Sequence, residues 1–425
     1  MHTKTTIILF SATIEMFLFL RCNLFDSDKL KLHANAGEDQ ETIVGSYAVF
    51  DPTQSSGDFE WYDWQQDENN PQKVKIYSYD REARTESNIN KIVFTKEGSY
   101  KFILIVRSGV TPSNLSGTNA SEPDTLVIKV KPNPNSTFED PNLEAIIRAK
   151  ISIQTEELDE NAVLSLDSLS YAEVIPVEPI SSLKGLENCK NLIYLLLGLQ
   201  DISDISPLSS LTKLKNLWLD QNYKISDVTP LAELIELEEL NLDCNLLTDM
   251  SPLKKMINLE YLSLEYNAIT GIAALENMSK LKKLWMSEAT IDDLLPISKL
   301  DKLELLWFNR CNIENISCLK SLSNIKILKI AWNKVGDISS LSGMEDLEWV
   351  ALEQNQITDI SPLQNLSNLS YVRLWDNQIT DIKPLVDNSG IDKGDIVGLD
   401  GNPLDERSIN EYIPVLQTRG VLVTW

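Results

Sequence analysis

The chain has 425 residues, too many for one small core, and its 43% hydrophobic content suits folded modules rather than disorder. With 63 acidic and 38 basic residues its formal charge is −25, which excludes the dense cationic surface that a nucleic-acid backbone requires. Only two histidines occur, His2 and His33, and the five cysteines (Cys22, Cys189, Cys244, Cys311, Cys318) lack metal-ligand spacing; histidine-based triads and most metal sites are removed, and the odd cysteine count argues against a full disulfide framework.

Residues 1–22 read as an export leader. Lys4 supplies the positive start and IILFSATIEMFLFL (7–20) the apolar run, interrupted by Glu15. Cys22 stands where a bacterial lipoprotein leader would be cut and lipidated, although Arg21 fits poorly before such a cysteine. A buried N-terminal helix or an uncleaved anchor is the alternative.

Residues 32–131 alternate strand-like runs, ETIVGSYAVF, FEWYDW, NKIVF, SYKFILIV and DTLVIKV, with turn signals at Gly45, Ser55–Ser56–Gly57, Gly98 and Gly109. This spacing predicts a β-sandwich. The wording ANAGEDQETIVGSYAVFD, EWYDW, FTKEGSYKFILIVRSG and DTLVIKV resembles PKD-type immunoglobulin-like domains, with QQDENNPQ replacing a usual glycine-rich turn. The resemblance implies a spacer or adhesive module. Residues 132–137, within KPNPNS and its neighbour, are expected to form a short stiff linker.

From 138 to 425 the chain repeats. Leu192, Leu214, Leu237, Leu259, Leu281, Leu303, Ile325, Leu347 and Leu369 recur every 22 residues, with one interval of 23 at Tyr223–Lys224. Counting each of these as zero, apolar residues return at offsets 3, 5, 10, 13 and 16. The first two spacings describe a short strand with alternate residues turned inward; the later ones describe extended or 3₁₀ coil. One unit cannot bury these aliphatics alone, so stacked units must form a solenoid with a parallel β-sheet lining its concave side. At offset 8, Asn222, Asn245, Asn267, Asn333, Asn355 and Asn377 are expected to form a buried ladder that satisfies backbone groups. Cys311 takes the same slot, and Gln200 and Ala289 are weaker replacements, so an interruption is expected around 289 and 311. In the recurring Ser-Pro-Leu, serine is expected to cap a short helical turn that proline begins.

The wording QNQITDISPLQNL (354–366) and DNQITDIKPL (376–385) is that of 22-residue leucine-rich repeats and most resembles the internalin group of bacterial surface proteins. FEDPNLEAIIRAKI resembles the helical N-terminal cap (138–170), followed by repeats (171–400) and a C-terminal cap (401–425). In that last cap Ile409, Tyr412, Ile413 and Leu416 are expected to form one covering helical face. The resemblance implies adhesion.

With offsets 0, 3 and 5 buried, offsets 2, 4 and 6 face the concave side and offset 7 its edge. Trp218, Tyr261, Tyr266, Trp285, Trp307, Trp332, Trp349, Tyr371 and Trp375 fall there, with Arg310, Lys329, Glu353, Arg373 and Asp376 beside them to orient a ligand by charge. A tryptophan would overpack a narrow leucine core, and an aromatic stripe suits an interaction site. Stacking along the columns that merely stabilises the sheet is the competing reading. Asp220, Glu239, Asp243 and Glu265 read as a solvated acidic face, with ordinary carboxyl pKa values expected on so shallow a surface.

The expected protein is therefore exported and anchored at the bacterial surface or secreted. It is expected to be a non-enzymatic monomer without cofactor or metal, binding a protein on the concave face. The alternatives are a glycan on the same aromatic face and an intracellular interaction scaffold.

Overall fold

The computed structural model describes residues 34–50, 55, 61–74, 79–80, 91–108, 119–173 and 178–425. The expected leader and Cys22 lie outside the described residues, as do parts of the 32–131 segment.

The described residues of that segment form eight strands: β1 (Gln40–Ile43), β2 (Ser46–Val49), β3 (Trp61–Gln66), β4 (Tyr79–Asp80), β5 (Lys91–Phe94), β6 (Gly98–Ser108), β7 (Asn119–Ala120) and β8 (Asp124–Lys131). One sheet runs β1-β8-β6-β3-β4 with β7 on β6, and β2 pairs with β5 in a second. Alternation explains the core: Tyr100, Phe102, Leu104 and Val106 of β6 all point inward and are fully buried. Phe94 of β5 meets the Tyr100 ring edge-on at 4.7 Å, and Phe50 meets Trp64 at 5.0 Å. Gly45, with φ 78°, makes the turn between β1 and β2.

Helix α1 (Pro141–Ile151) joins this unit to the repeats. Asp140 caps it, accepting from the Asn142 amide at 2.8 Å, while its other oxygen accepts from the Ser181 amide at 2.7 Å in the first irregular unit. Glu144 and Arg148 form a buried ion pair at 2.7 Å. Such a pair is tolerated only when its remaining valences are met. Asn133 Nδ2 donates to Glu144 at 2.9 Å, Ser136 Oγ also donates to it, and Arg148 donates to the Glu156 carbonyl at 2.8 Å. A Cβ on Gly45 would lie 3.0 Å from Glu144 Oε2, so the sheets press on this pair. Ser46 Oγ to Gln154 O (2.7 Å) and Lys91 Nζ to Ala149 O (3.1 Å) complete the joint. Segment 132–137, expected as a linker, thus supplies two of the groups that hold Glu144.

Twelve parallel strands follow in chain order: β9 (Ser168–Ser170), β10 (Tyr194–Leu196), β11 (Asn216–Trp218), β12 (Glu239–Asn241), β13 (Tyr261–Ser263), β14 (Lys283–Trp285), β15 (Leu305–Trp307), β16 (Ile327–Lys329), β17 (Trp349–Ala351), β18 (Tyr371–Arg373), β19 (Ile396–Gly398) and β20 (Leu422–Thr424). Their register pairs equivalent positions of successive units, as in Trp285↔Trp307 and Trp349↔Tyr371. The central residue of each strand from β10 to β19 enters the core; Leu217, Leu262 and Leu328 are fully buried. Short 3₁₀ turns such as Ser206–Ser210 and Ser251–Lys255 line the convex side.

The offset-8 side chains bind as a ladder. Asn355 Nδ2 donates to Ile330 O (2.9 Å) and Leu352 O (3.0 Å), and its Oδ1 accepts from the Val335 amide (2.9 Å). Asn222, Asn245, Asn267, Asn333 and Asn377 repeat that pattern, accepting from Ile202, Ile225, Leu247, Ile313 and Ile357. The expected break is narrower than predicted. Gln200 still accepts from the Ile180 amide at 2.9 Å, and the Cys311 thiol donates to the Met286 carbonyl at 2.9 Å, leaving Ala289 as the gap. Asn402 adds a rung beyond the repeats.

Two expectations are corrected. The serine of Ser-Pro-Leu does not cap its turn. The aspartate two residues earlier does: Asp204, Asp249 and Asp359 each accept the serine amide at 2.8 Å, and the serine hydroxyl donates back to the same carboxylate. An Asx turn brings its oxygen to the i+2 amide, which a serine at the first helical position cannot reach. In the C-terminal cap Tyr412, Ile413 and Leu416 are buried, but Ile409 is 40% exposed. Residues Ser408–Tyr412 form a π turn before Pro414, whose ring crowds the carbonyl four residues back; the widened turn carries Ile409 off the face.

Candidate functional site

A three-residue strand that sends its middle residue inward must turn both neighbours to the concave side. Trp218, Tyr261, Trp285, Trp307, Lys329, Trp349, Tyr371 and Arg373 occupy those positions, and Trp375 follows two residues after Arg373. All are half-buried, and no indole of the repeats enters the aliphatic core.

Offset 7 has a feature the sequence did not announce. Leu199, Gln221, Cys244, Tyr266, Glu288, Arg310, Trp332, Gln354 and Asp376 all have φ between 53° and 66°, the left-handed region. None is glycine, so each costs roughly 1 kcal/mol that the stacked coils must offset. The conformation throws these side chains onto the rim, where Tyr266 is 60% and Trp332 37% exposed.

The aromatics do not form one continuous stripe. Trp218 stacks on Tyr261 at 6.0 Å and Tyr261 meets Trp285 at 4.7 Å; further along, Trp349 meets Tyr371 at 4.7 Å and Trp332 meets Trp375 edge-on at 5.4 Å. Tyr266 makes no ring contact among the described residues. Trp307 connects the groups through a cation: Lys329 Nζ lies 3.8 Å from the ring centres of both Trp307 and Trp349. Arg310 lies over Trp332 at 5.2 Å and pairs with Glu288 at 3.1 Å, and Arg373 lies beside Tyr371 at 5.3 Å. Stacking and partial exposure therefore coexist on this face.

Glu353 departs from expectation. It is 2% exposed rather than an open concave-face charge, its Oε1 lies 3.5 Å from Arg373, and its Oε2 has no hydrogen-bond partner. Burial raises its pKa, against the pull of Arg373 and Lys329. The Trp349 indole N–H is also buried without an acceptor. Asp376 stays exposed and accepts from Gln354 Nε2 at 2.5 Å.

The acidic half, around Asp220, Glu239, Asp243 and Glu265, also differs from a simple solvated face. Asp243 Oδ1 accepts from Ser263 Oγ at 2.6 Å and from the Glu265 amide at 2.7 Å, and Glu265 accepts from Ser287 Oγ at 2.7 Å. Burial pushes the Asp243 pKa up to about 6, with Glu265 and Asp220 adding repulsion; Glu265 is raised as well, again chiefly by burial. The expected ordinary pKa fails because neighbouring coils cover these carboxylates. Ser263 and Ser287 are small polar residues one coil on from each acid, a pairing that the offset pattern within a single unit does not reveal. On the solenoid's flanks, by contrast, carboxylates pair with lysines about 22 residues away, as in Lys282–Glu260 (2.6 Å) and Lys326–Glu304 (2.9 Å). None of the four concave acids has a cation within ion-pairing distance among the described residues. Cys189 is fully buried and its thiol is pushed up to about 12, consistent with an inert core position.

Among the described residues no group of three His, Cys, Asp or Glu is placed to hold a metal, and no helix is long and apolar enough to cross a membrane.

Family models described as leucine-rich repeats match residues 190–233 and 346–387 (a two-copy model) and 235–288. No catalytic family is indicated. An internalin (inlF) from Listeria monocytogenes is 28% identical and has a TM-score of 0.60 over 68% of this chain and 92% of its own. A leucine-rich-repeat protein of Leptospira interrogans, 18% identical with a TM-score of 0.51, covers 63% of this chain and 74% of its own, a likeness of fold alone. No curated protein matches the chain. The twelve-stranded parallel sheet and the repeats stacked behind it form a leucine-rich-repeat solenoid, internalin-like in structure.

Proposed function

We propose that the chain is an exported, surface-anchored recognition protein that binds a protein partner on the concave face of its repeats. One observation carries this reading. Parallel sheets are ordinarily covered on both faces, yet this one presents an uncovered face of half-buried aromatic and cationic side chains. Trp, Tyr and Arg dominate the energetics of protein interfaces. In this reading Trp285, Trp307, Trp332, Trp349, Tyr371 and Trp375 anchor the partner, and Arg310, Lys329, Arg373 and Asp376 fix its orientation. Export rests on the leader, anchoring on Cys22, and a spacer role for residues 32–131 on their PKD-type wording. The division into leader, PKD-type sandwich, linker and capped repeat domain, and the monomeric state, belong to the same proposal.

A glycan on the same face is less well supported, because a sugar needs free ring faces and several here are taken by neighbouring rings or by Lys329. The test is retention of a surface-extract protein by the immobilised chain, compared with a Trp307→Ala, Trp349→Ala variant of unchanged circular dichroism. Loss of retention in the variant supports the reading. Equal retention, or tight binding of one polysaccharide instead, overturns it.

A further inference from the structure

The concave face is polarised along the solenoid. From β11 to β13 it carries Asp220, Glu239, Asp243 and Glu265 and no cation, whereas from β15 to β18 it carries Arg310, Lys329 and Arg373 with the buried Glu353 and the rim Asp376. At the second end, Lys329 and Arg373 are the register neighbours of Ala351 on either side, about 10 Å apart by two strand spacings. Alanine, the smallest residue there, separates the two cations, with Trp349 before it and Glu353 after it on the same face. Lys329 has no carboxylate within ion-pairing distance among the described residues and rests only on two indoles. Arg373 has one carboxylate at 3.5 Å, and that carboxylate is buried. Burial and then the repulsion of Arg373 lower the Lys329 pKa, against the weaker pull of Glu353 and Glu265. The buried Glu353 carboxylate lies within 3.5 Å of Arg373 only, so two like charges face each other across a methyl group and Lys329 keeps no ion-pair partner of its own among the described residues.

Resting on the protein-binding reading above, we infer that the partner presents an isolated side-chain carboxylate that bridges the half-exposed Lys329 and Arg373 above the buried Ala351, flanked by apolar groups on Trp307, Trp349 and Tyr371. A bridging carboxylate removes the repulsion between the two cations and gives Lys329 an ion-pair partner; such charge-assisted contacts set orientation and specificity. The four acids at the other end decide between an acidic protein segment and an acidic polysaccharide. A polyuronate long enough to span the face would set its repeating charges against Asp220, Glu239, Asp243 and Glu265, whereas a polypeptide places its carboxylate at one end only. The bound segment therefore runs in one direction, acidic end toward β18.

The probes are twelve-residue peptides selected from a random displayed library on the full chain, with oligogalacturonate as the polysaccharide arm. The selected peptides are expected to share an acidic residue. Lys329→Gln, Arg373→Gln and the matching Asp→Asn or Glu→Gln change in the peptide should each weaken binding about tenfold or more, and non-additively in combination. Asp220→Asn should not weaken it. Melting curves of both chain variants verify folding, and the peptide-side change needs no chain variant. Peptides that lose binding in Trp307→Ala but are indifferent to Lys329 and Arg373 overturn this inference and leave the protein-binding reading standing. Tight oligogalacturonate binding dependent on Arg373, or no peptide binding at the concave face at all, overturns both.

Discussion

Asn355→Ala tests the ladder that holds the coils together. The side chain is 8% exposed and makes four hydrogen bonds: to the carbonyls of Ile330, Leu352 and Glu353 at 2.9, 3.0 and 3.3 Å, and from the Val335 amide at 2.9 Å. Two of these bind the preceding unit, so the substitution strands an amide and a carbonyl across the joint, whereas the Leu352 and Glu353 carbonyls keep their donors in Asn377 Nδ2 and the Trp332 amide. A buried polar group left unpaired costs about 1–3 kcal/mol. Water entering the gap recovers part of that, so a loss of roughly 2–3 kcal/mol is expected for the two. Urea unfolding followed by tryptophan fluorescence measures the change, and hydrogen exchange should show the Val335 amide losing protection more than amides three units away, because solenoid contacts are between nearest neighbours. Gln354→Ala, on the exposed rim, is the control and should stay within about 0.5 kcal/mol. A loss below about 1 kcal/mol in Asn355→Ala, or an exchange profile unchanged at Val335, would refute the argument that the ladder satisfies otherwise orphaned backbone.

Asp243→Asn should stabilise the protein at neutral pH. The native carboxyl titrates at about 6 instead of 3.8, so the native state binds its proton more tightly than the unfolded chain. That contribution is complete below the unfolded value and is lost as pH rises through 6; the gain on substitution should be about 3 kcal/mol at pH 7.5 and near zero at pH 3.5, by denaturant titration at both. Stability equal to or below the parent at pH 7.5 contradicts the burial argument. Asp249 has the opposite sign: its pKa is lowered by hydrogen bonds from Ser251, so its contribution is present above the unfolded carboxyl range and fades as pH falls through the native value. Asp249→Ala should therefore be less stable at pH 7 and show a shallower acid limb, and an unchanged limb would be against the cap. At Gly390 an added Cβ would lie 1.9 Å from the Ser367 carbonyl oxygen, backbone that cannot step aside. Gly390→Ala should cost on the order of 3 kcal/mol in thermal melting, and a neutral result would mean the turn moves freely.

What the sequence settled by itself is periodic. A 22-residue spacing with apolar offsets 0, 3 and 5 permits one strand register, and a one-residue slip would expose every leucine, so the inward and outward faces and the asparagine slot followed without coordinates. The tertiary structure decided whatever depends on the next coil. Glu353 reads as an open concave-face charge along the strand, yet it is buried; Asp243 reads as solvated, yet Ser263 and the Glu265 amide, one coil on, enclose it. Which indoles stack and which clasp Lys329, how Glu144 and Arg148 lock the first sheets to the repeats, and where the π turn moves Ile409 all depend on packing across units. Sequence offset fixes the direction in which a side chain leaves the backbone, whereas its burial and ionisation depend on neighbours that are distant in the chain and brought close only when the coils stack.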